Sequence, residues 1–416
     1  MQLLSDGATS WPDQLTGRLL LVLSDDLLSD PDAALEAVRE MTGAGSLDAD
    51  DATAPVLFPA LGIAVITIEP DSAMIDAMVA DPRILGAEPE RLHHVRGSLS
   101  EEYLRGFADA AAFLHSQAVD PPVGEELQDV VEDTAELTWG LQVTNAATVV
   151  DSGAGITVAV LDTGLDLEHP DFAGRDVLAE SFVAGETAQD GNGHGTHCIG
   201  TSCGPFLPGN GPRYGVAHEA RILAGKVLSD AGSGTDAEIL AGMNWAIENG
   251  AQIISMSLGA DVDEVSSVYE TVGRRALAAG TLVIAAAGNN ADREAGDPGF
   301  VGIPANSPSI MAVGAVDQAL DIAPFSARSS GRQGGQVDVA GPGVEVYSSW
   351  PMPDRYNTIS GTSMATPHVA GIAALWAQRT GARGEALWGA LVRGAERLPL
   401  PSDDVGTGLV QAPPVS

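Results

Sequence analysis

"GITVAVLDTG", Gly155 to Gly164, packs apolar or small residues into a run too short for a helix and ends it on an aspartate. A strand with no polar face must be covered on both sides. Similar runs recur as "RILAGKVL" (221–228), "AQIISMSL" (251–258), "TLVIAAAGN" (281–289) and "SIMAVGAVD" (309–317). Between two of them, "TDAEILAGMNWAIENG" (235–250) has helical spacing and stops at Gly250. Apolar strands alternating with helices predict an α/β fold, a three-layer α/β/α arrangement around a mainly parallel sheet. Ligands of such sheets bind beyond the carboxyl ends of the strands, which is where Asp162 falls.

The bulk composition agrees. The 416 residues are 44% hydrophobic with 49 glycines and only 5% aromatics, enough for a large core and a second domain. A net charge of −37 argues against nucleic acid or an anionic membrane surface as a partner. It fits a solvated surface, in ordinary or salty surroundings. No run is long and apolar enough to cross a bilayer. "MQLLSDGATSWPDQ" has neither a basic region nor an apolar core of signal-peptide length. Cys198 and Cys203 are the only cysteines, so no disulfide framework is expected, and their spacing on a helix is poor for a bridge.

Ahead of this sheet lies a separate unit, residues 1–95. "GRLLLVLSDD" reads as a strand, and "DPDAALEAVREMTG" as a helix with Asp30 as N-cap, Pro31 in its first turn and Gly43 after its end. "APVLFP" and "LGIAVITIEP" are strands, "DSAMIDAMVADPR" a short helix and "ILGAEPE" a last strand. The order βαββαβ is that of a small α+β, ferredoxin-like domain. Residues 96–136 form an acidic stretch, with a helix expected at "SEEYLRGFADAAAFLHSQ", that serves either as a processing segment or as a plain connector. Residues 137–416 form the α/β domain.

Chemistry concentrates in three places. Asp162 ends a strand, His194 and His197 lie among glycines in "DGNGHGTHCIGT" (190–201), and Ser363 opens a helix in "GTSMATPHVAG" (361–371). The two histidines raise a metal site as one reading, but residues three apart lack an acidic helix nearby to complete the ligand set. The alternative is a base. A serine hydroxyl becomes nucleophilic when an imidazole accepts its proton and a carboxylate orients that imidazole. Gly193 and Gly195 would then leave room for a substrate backbone beside His194.

Together with "MSLG" and "AAAGNN", the stretches "VAVLDTG", "GHGTHCIGT" and "GTSMATPHVAG" resemble the signatures of the subtilisin-like serine proteases, in the order Asp, His, Ser. The likeness covers essentially all of Trp139 to Val410. It implies Asp162, His194 and Ser363 as the triad and Asn289 as an oxyanion donor, with Asn290 a turn residue. It implies that Gly232, Ser233 and Gly234 pair with one side of an extended peptide, and that Ser257, Leu258, Gly259 and Ala260 form the opposite wall. Ala286, Gly288 and Gly302 would line an open, uncharged pocket for a large apolar or aromatic residue before the scissile bond. Cys198, placed as in the proteinase K-like branch, would lie beneath His194 as a buried hydrophobe, and His197 would be a packed structural residue.

The same likeness implies no cofactor for the chemistry and no metal in the active site. Structural calcium is common in the family. Asp171 and Asp317 resemble ligand positions, but "GTSCGPFLPGNGPRYGVAHE" departs from the usual calcium loop, so no calcium site is assigned. The N-terminal unit resembles a subtilisin propeptide, whose tail, about Arg91 to Arg96, would lie in the cleft. Its histidines, His93 and His94, read as ordinary exposed residues, with loosening on acidification as the alternative. Partners are therefore protein or peptide substrates and the chain's own N-terminal domain, and a monomer is expected. Family members are secreted, whereas the sequence opens without a signal, which leaves the compartment open.

Overall fold

The computed structural model describes residues 15–42, 54–67, 75, 78–95 and 130–415. The N-terminal unit comprises β1 (Leu15–Leu23), α1 (Pro31–Thr42), β2 (Val56–Phe58), β3 (Ile63–Thr67) and β4 (Ile84–Val95). Asp30 accepts from the backbone N–H of Ala33 at 3.0 Å, the N-cap bond its position predicts. Of the second predicted helix, Ile75, Met78 and Val79 are helical and residues 80–83 form the turn that follows. The rest of that helix, Gly43, and the helix expected at 100–117 lie outside the described residues. The strands pair antiparallel in the order β4-β1-β3-β2, the ferredoxin-like order.

The α/β unit follows with β5 (Thr157–Asp162), β6 (Val177–Ser181), α2 (His194–Cys203), β7 (Arg221–Lys226), β8 (Ser233–Thr235), α3 (Asp236–Glu248), β9 (Ile253–Met256), β10 (Leu258–Gly259), α4 (Ser267–Ala278), β11 (Leu282–Ala286), β12 (Met311–Val316) and β13 (Val339–Pro342). A hairpin, β14 (Val346–Ser349) and β15 (Tyr356–Ile359), precedes α5 (Thr362–Thr380) and α6 (Gly384–Gly394). Seven parallel strands lie in the order β13-β12-β11-β9-β5-β7-β6. One face packs on α2 and α5, through Ile199, Met364, Val369 and Ile372; the other packs on α3 and α4, through Leu240, Met243, Val268 and Val272. Residues 130–136, the end of the acidic stretch, are tied to this unit: Val131 N–H donates to Gln318, and Asp133 accepts from Trp139 N–H.

The two units share a core. In β1, Leu19, Leu21 and Leu23 face α1, whereas Leu20 and Val22 join the cluster containing α3 and α4. The strand alternates, as strands do, but both of its faces are covered. Two glutamates of β4 meet the N-termini of the opposing helices. Glu88 accepts from Ser267 N–H at 2.5 Å and from the hydroxyls of Ser266 and Ser267 at the start of α4. Glu90 accepts from Ala237 N–H at 3.0 Å at the start of α3, and Arg18 bridges it from β1. A carboxylate there satisfies orphan N–H groups and favours the helix dipole. From the other side, the Arg275 guanidinium donates to the carbonyls of Leu23 and Leu61.

Replacing Glu90 with alanine strips the acceptor from Ala237 N–H and leaves Arg18 without its carboxylate partner, a loss of about 1.5–3 kcal/mol for a hydrogen bond to a charged group. Amides of β1 in the full-length chain should then exchange with deuterium roughly tenfold faster or more. Unchanged exchange would show that Glu90 contributes nothing to holding the two units together.

Candidate active site

Asp162 sits at the carboxyl end of β5, fully buried. Its Oδ1 accepts from His194 Nδ1 at 2.7 Å and from Thr163 N–H at 2.8 Å. His194 begins α2, and its Nε2 is buried with no hydrogen-bond partner. Ser363 lies in the first turn of α5, where Oγ donates to the Ser257 carbonyl at 3.1 Å. Cys198 touches both neighbours, its sulfur 3.8 Å from His194 Nδ1 and 3.6 Å from the Ser363 carbonyl. Burial alone would lower the His194 pKa, but the Asp162 charge and hydrogen bond outweigh it and hold the imidazole well above its usual 6.5. Burial pushes the Cys198 thiol up, so it stays protonated and a poor nucleophile.

Several expected residues converge on this point. Asn289 Oδ1 accepts from Thr362 N–H at 2.9 Å and from Thr362 Oγ1 at 2.8 Å, so its amide nitrogen is the end left to donate elsewhere. Gly288 N–H bonds Thr362 Oγ1, and Gly302 N–H bonds the Ala287 carbonyl, which draws Gly302 toward the end of β11 and Ala286. Asn290 holds the 300 loop through Phe300.

The two proposed walls flank one strand, the tail of β4. His93 faces Gly234 and His94 faces Ser233 on one side, and Val95 N–H donates to the Gly232 carbonyl at 2.9 Å. On the other side Val95 faces Leu258 and His94 faces Gly259. His94 is exposed, but His93 is wholly buried, contrary to the reading of both as exposed histidines: its ring points into the α/β unit while His94 points out.

The glycines beside His194 also need a correction. A Cβ on Gly193, at φ +108°, would lie 2.4 Å from the Trp350 ring, and one on Gly195 would lie 2.3 Å from the Gly164 carbonyl oxygen. Both are glycine because α2 packs hard against β5's turn and Trp350, not to admit a substrate backbone. His197 Nε2 bonds the Val346 carbonyl at 2.9 Å, and burial drives its pKa down to about 3. It is a neutral packing residue, as expected.

A subtilase family model matches residues 153–408. The chain belongs to the subtilase family. It is 42% identical over 224 residues to subtilisin DY of Bacillus licheniformis, covering 54% of this chain and 77% of that protein. Subtilisin E of Bacillus subtilis is 40% identical over 278 residues, covering 64% and 69%. A cuticle-degrading serine protease of Arthrobotrys oligospora is 38% identical over 295 residues, covering 66% and 67%. As a subtilase the protein is a serine-type endopeptidase acting on proteins or peptides, and subtilase chemistry needs no cofactor.

Structural calcium is common in subtilases, and Asp171, one of the two aspartates raised for it, is already engaged by protein donors. Asp171 accepts from Gly209 N–H at 2.9 Å and from the hydroxyls of Tyr214 at 2.7 Å and Tyr356 at 3.1 Å. Donors directed at a carboxylate occupy the lone pairs a cation would need. Asp317 Oδ1 accepts from the N–H groups of Ala319 and Asp321 in its own turn. Among the described residues, the one grouping of three His, Cys, Asp or Glu ligand atoms is Asp162, His194 and Cys198, the cluster already described.

Three polar residues of the site escaped the sequence reading. Buried Asp190 accepts from Thr163 Oγ1, Asn192 N–H and Gly193 N–H through one oxygen, and from Thr196 N–H and Oγ1 through the other. Lys226, the sole lysine, donates to the Thr163 carbonyl and to Asp230, each at 2.7 Å. Asp236 lies beneath the β4 tail. Lys226's uniqueness was a signal; Asp190 and Asp236 gave none.

The His194 imidazole should titrate above 6.5 when followed by NMR. Asp162→Asn removes the charge that raises it and leaves the burial that lowers it, so the titration should move down. A midpoint unmoved by that change would refute Asp162 as the cause.

Proposed function

We propose that this subtilase cuts polypeptides through an acyl-enzyme formed on Ser363. His194 Nε2 takes the hydroxyl proton and returns it to the leaving amine, and Asp162 fixes the tautomer and stabilises the imidazolium. The Asn289 amide and the Ser363 N–H donate to the developing oxyanion. One observation carries the reading: the 2.7 Å Asp162–His194 contact leaves a buried, unpartnered Nε2 in a site where Cys198 contacts both His194 and Ser363. Substrate main chain lies between Gly232–Ser233–Gly234 and Ser257–Leu258–Gly259, which supplies affinity with little sequence demand.

Residues 1–95 act as an inhibitor and folding aid, 96–136 as the connecting segment and 137–416 as the catalytic domain. The strand-paired β4 tail, with Glu88 and Glu90 on two helix N-termini, supports this division. A substrate paired with β10 as Val95 pairs with Leu258 would carry its next residue opposite Ser257, the residue whose carbonyl Ser363 contacts. Self-cleavage is accordingly proposed close to the β4 tail and not near residue 136; Arg96 before the cut is a poor match to an apolar pocket, so the cut is expected to be slow. The first-site pocket of Ala286, Gly288 and Gly302 has small, uncharged walls and favours large apolar side chains.

Ser363→Ala should abolish hydrolysis and labelling by a fluorophosphonate, and should leave the chain at full length on a gel. Activity above background in that variant would overturn the mechanism. In a peptide library, Phe, Tyr or Leu before the scissile bond should be cut at least tenfold faster than Arg or Lys. A profile dominated by basic residues would refute the pocket assignment.

A further inference from the structure

We propose that Asp236 makes the cleft select histidine at the substrate position three residues before the one that supplies the scissile carbonyl. This rests on the reading of the groove between β8 and β10 as the substrate cleft. In a substrate paired as β4 is, with the residue opposite Ser257 supplying the scissile carbonyl, His93 marks that position by register.

The His93 ring is entirely buried, and its Nε2 donates to Asp236 Oδ1 at 2.5 Å. Tyr269 meets the imidazole edge-on, with ring centroids 5.8 Å apart, and its hydroxyl donates to the same Oδ1 at 2.8 Å. The other oxygen, Oδ2, accepts the main-chain N–H of Arg91 at 2.7 Å. This last bond reads backbone and is open to any residue, so discrimination falls to the side chain that faces Oδ1.

Asp236 is the first residue of α3 and belongs to the catalytic unit, as does Tyr269. The pocket therefore stays with the enzyme when the N-terminal unit leaves. A side chain without a donor would bury Oδ1 with Tyr269 alone as its partner, and a carboxylate would set two like charges together in a site closed to water. An imidazole of the right length with a donor at its tip answers both demands. Arginine and lysine carry donors but must fold a longer chain against Tyr269. Burial would raise the Asp236 carboxyl, but the His93, Arg91 and Tyr269 bonds outweigh it and hold the group below its usual value, so the pocket is anionic when filled.

The test uses the active enzyme and peptides Ala-X-Ala-Val-Phe-p-nitroanilide with X as His, Arg, Leu, Ala or Glu. The expected kcat/KM is at least tenfold higher for His than for Ala, with Glu slowest. In Asp236→Ala the His-to-Ala ratio should collapse to near one, and Tyr269→Phe should reduce it part of the way. Each ratio compares two substrates on one preparation, so partial misfolding does not change it. A wild-type ratio within twofold of one, or a ratio that survives Asp236→Ala, would overturn the proposal while the protease reading stands. Failure to cleave any of the peptides, together with no fluorophosphonate labelling, would instead show the protease reading itself to be wrong, and this inference with it.

Discussion

A single buried carboxylate holds the site's two halves in register. Asp190 collects five donors, from Thr163 just after β5 and from the loop and first turn of α2. Asp162 immediately precedes Thr163, and His194 lies between Gly193 and Thr196, so the Asp162–His194 distance is inherited from this hub. Thr163 adds a second tie by accepting Gly195 N–H on its hydroxyl. A buried carboxylate with so many donors keeps its place, because the loss of any one partner would leave a polar group stranded. The chemistry of His194 is thereby preset by residues that never approach a substrate.

The two units meet through a similar economy of charge. Helices α3 and α4 present their N-termini to the β4 strand, and β4 answers with Glu88 and Glu90 on the same face. Between and beyond these contacts the strand pairs with β8 and β10, so one element both caps helices and fills the cleft. The apolar contribution comes from Leu20, Val22 and Val65 against Leu240, Met243 and Val272. Recognition of the strand is thus mostly backbone and carboxylate, joined by the buried His93 side chain on Asp236.

The parallel sheet was legible because its strands lack a polar face, and the ferredoxin-like order followed from caps and turn residues that act locally. Asp162, His194 and Ser363 were legible as motifs, since each sits at the end of a strand or the start of a helix. Polar partnerships across the fold were not legible. Nothing in "TDAEIL" marks Asp236 as the partner of a histidine 143 positions earlier, because that pairing exists only once β4 has docked. The glycines around His194 were read as space for a substrate, yet their cause is the close packing of α2 on Gly164 and Trp350. Asp171 was a calcium candidate by resemblance, and Tyr214 and Tyr356, distant in sequence, both donate to its carboxylate.

Lys226 is the chain's only lysine and its side chain is fully buried, with the ammonium held by Thr163, Asp230 and Glu186. The folded enzyme therefore offers solvent no lysine ε-amine at all. Acylating, glycating or aldehyde reagents that modify lysines will find no such target while the fold is intact. Trypsin-like and lysine-specific proteases are likewise confined to arginine or to nothing. The basic side chains on its acidic surface are all guanidinium or imidazole, which makes lysine-directed immobilisation a reporter of unfolding instead of a means of attachment.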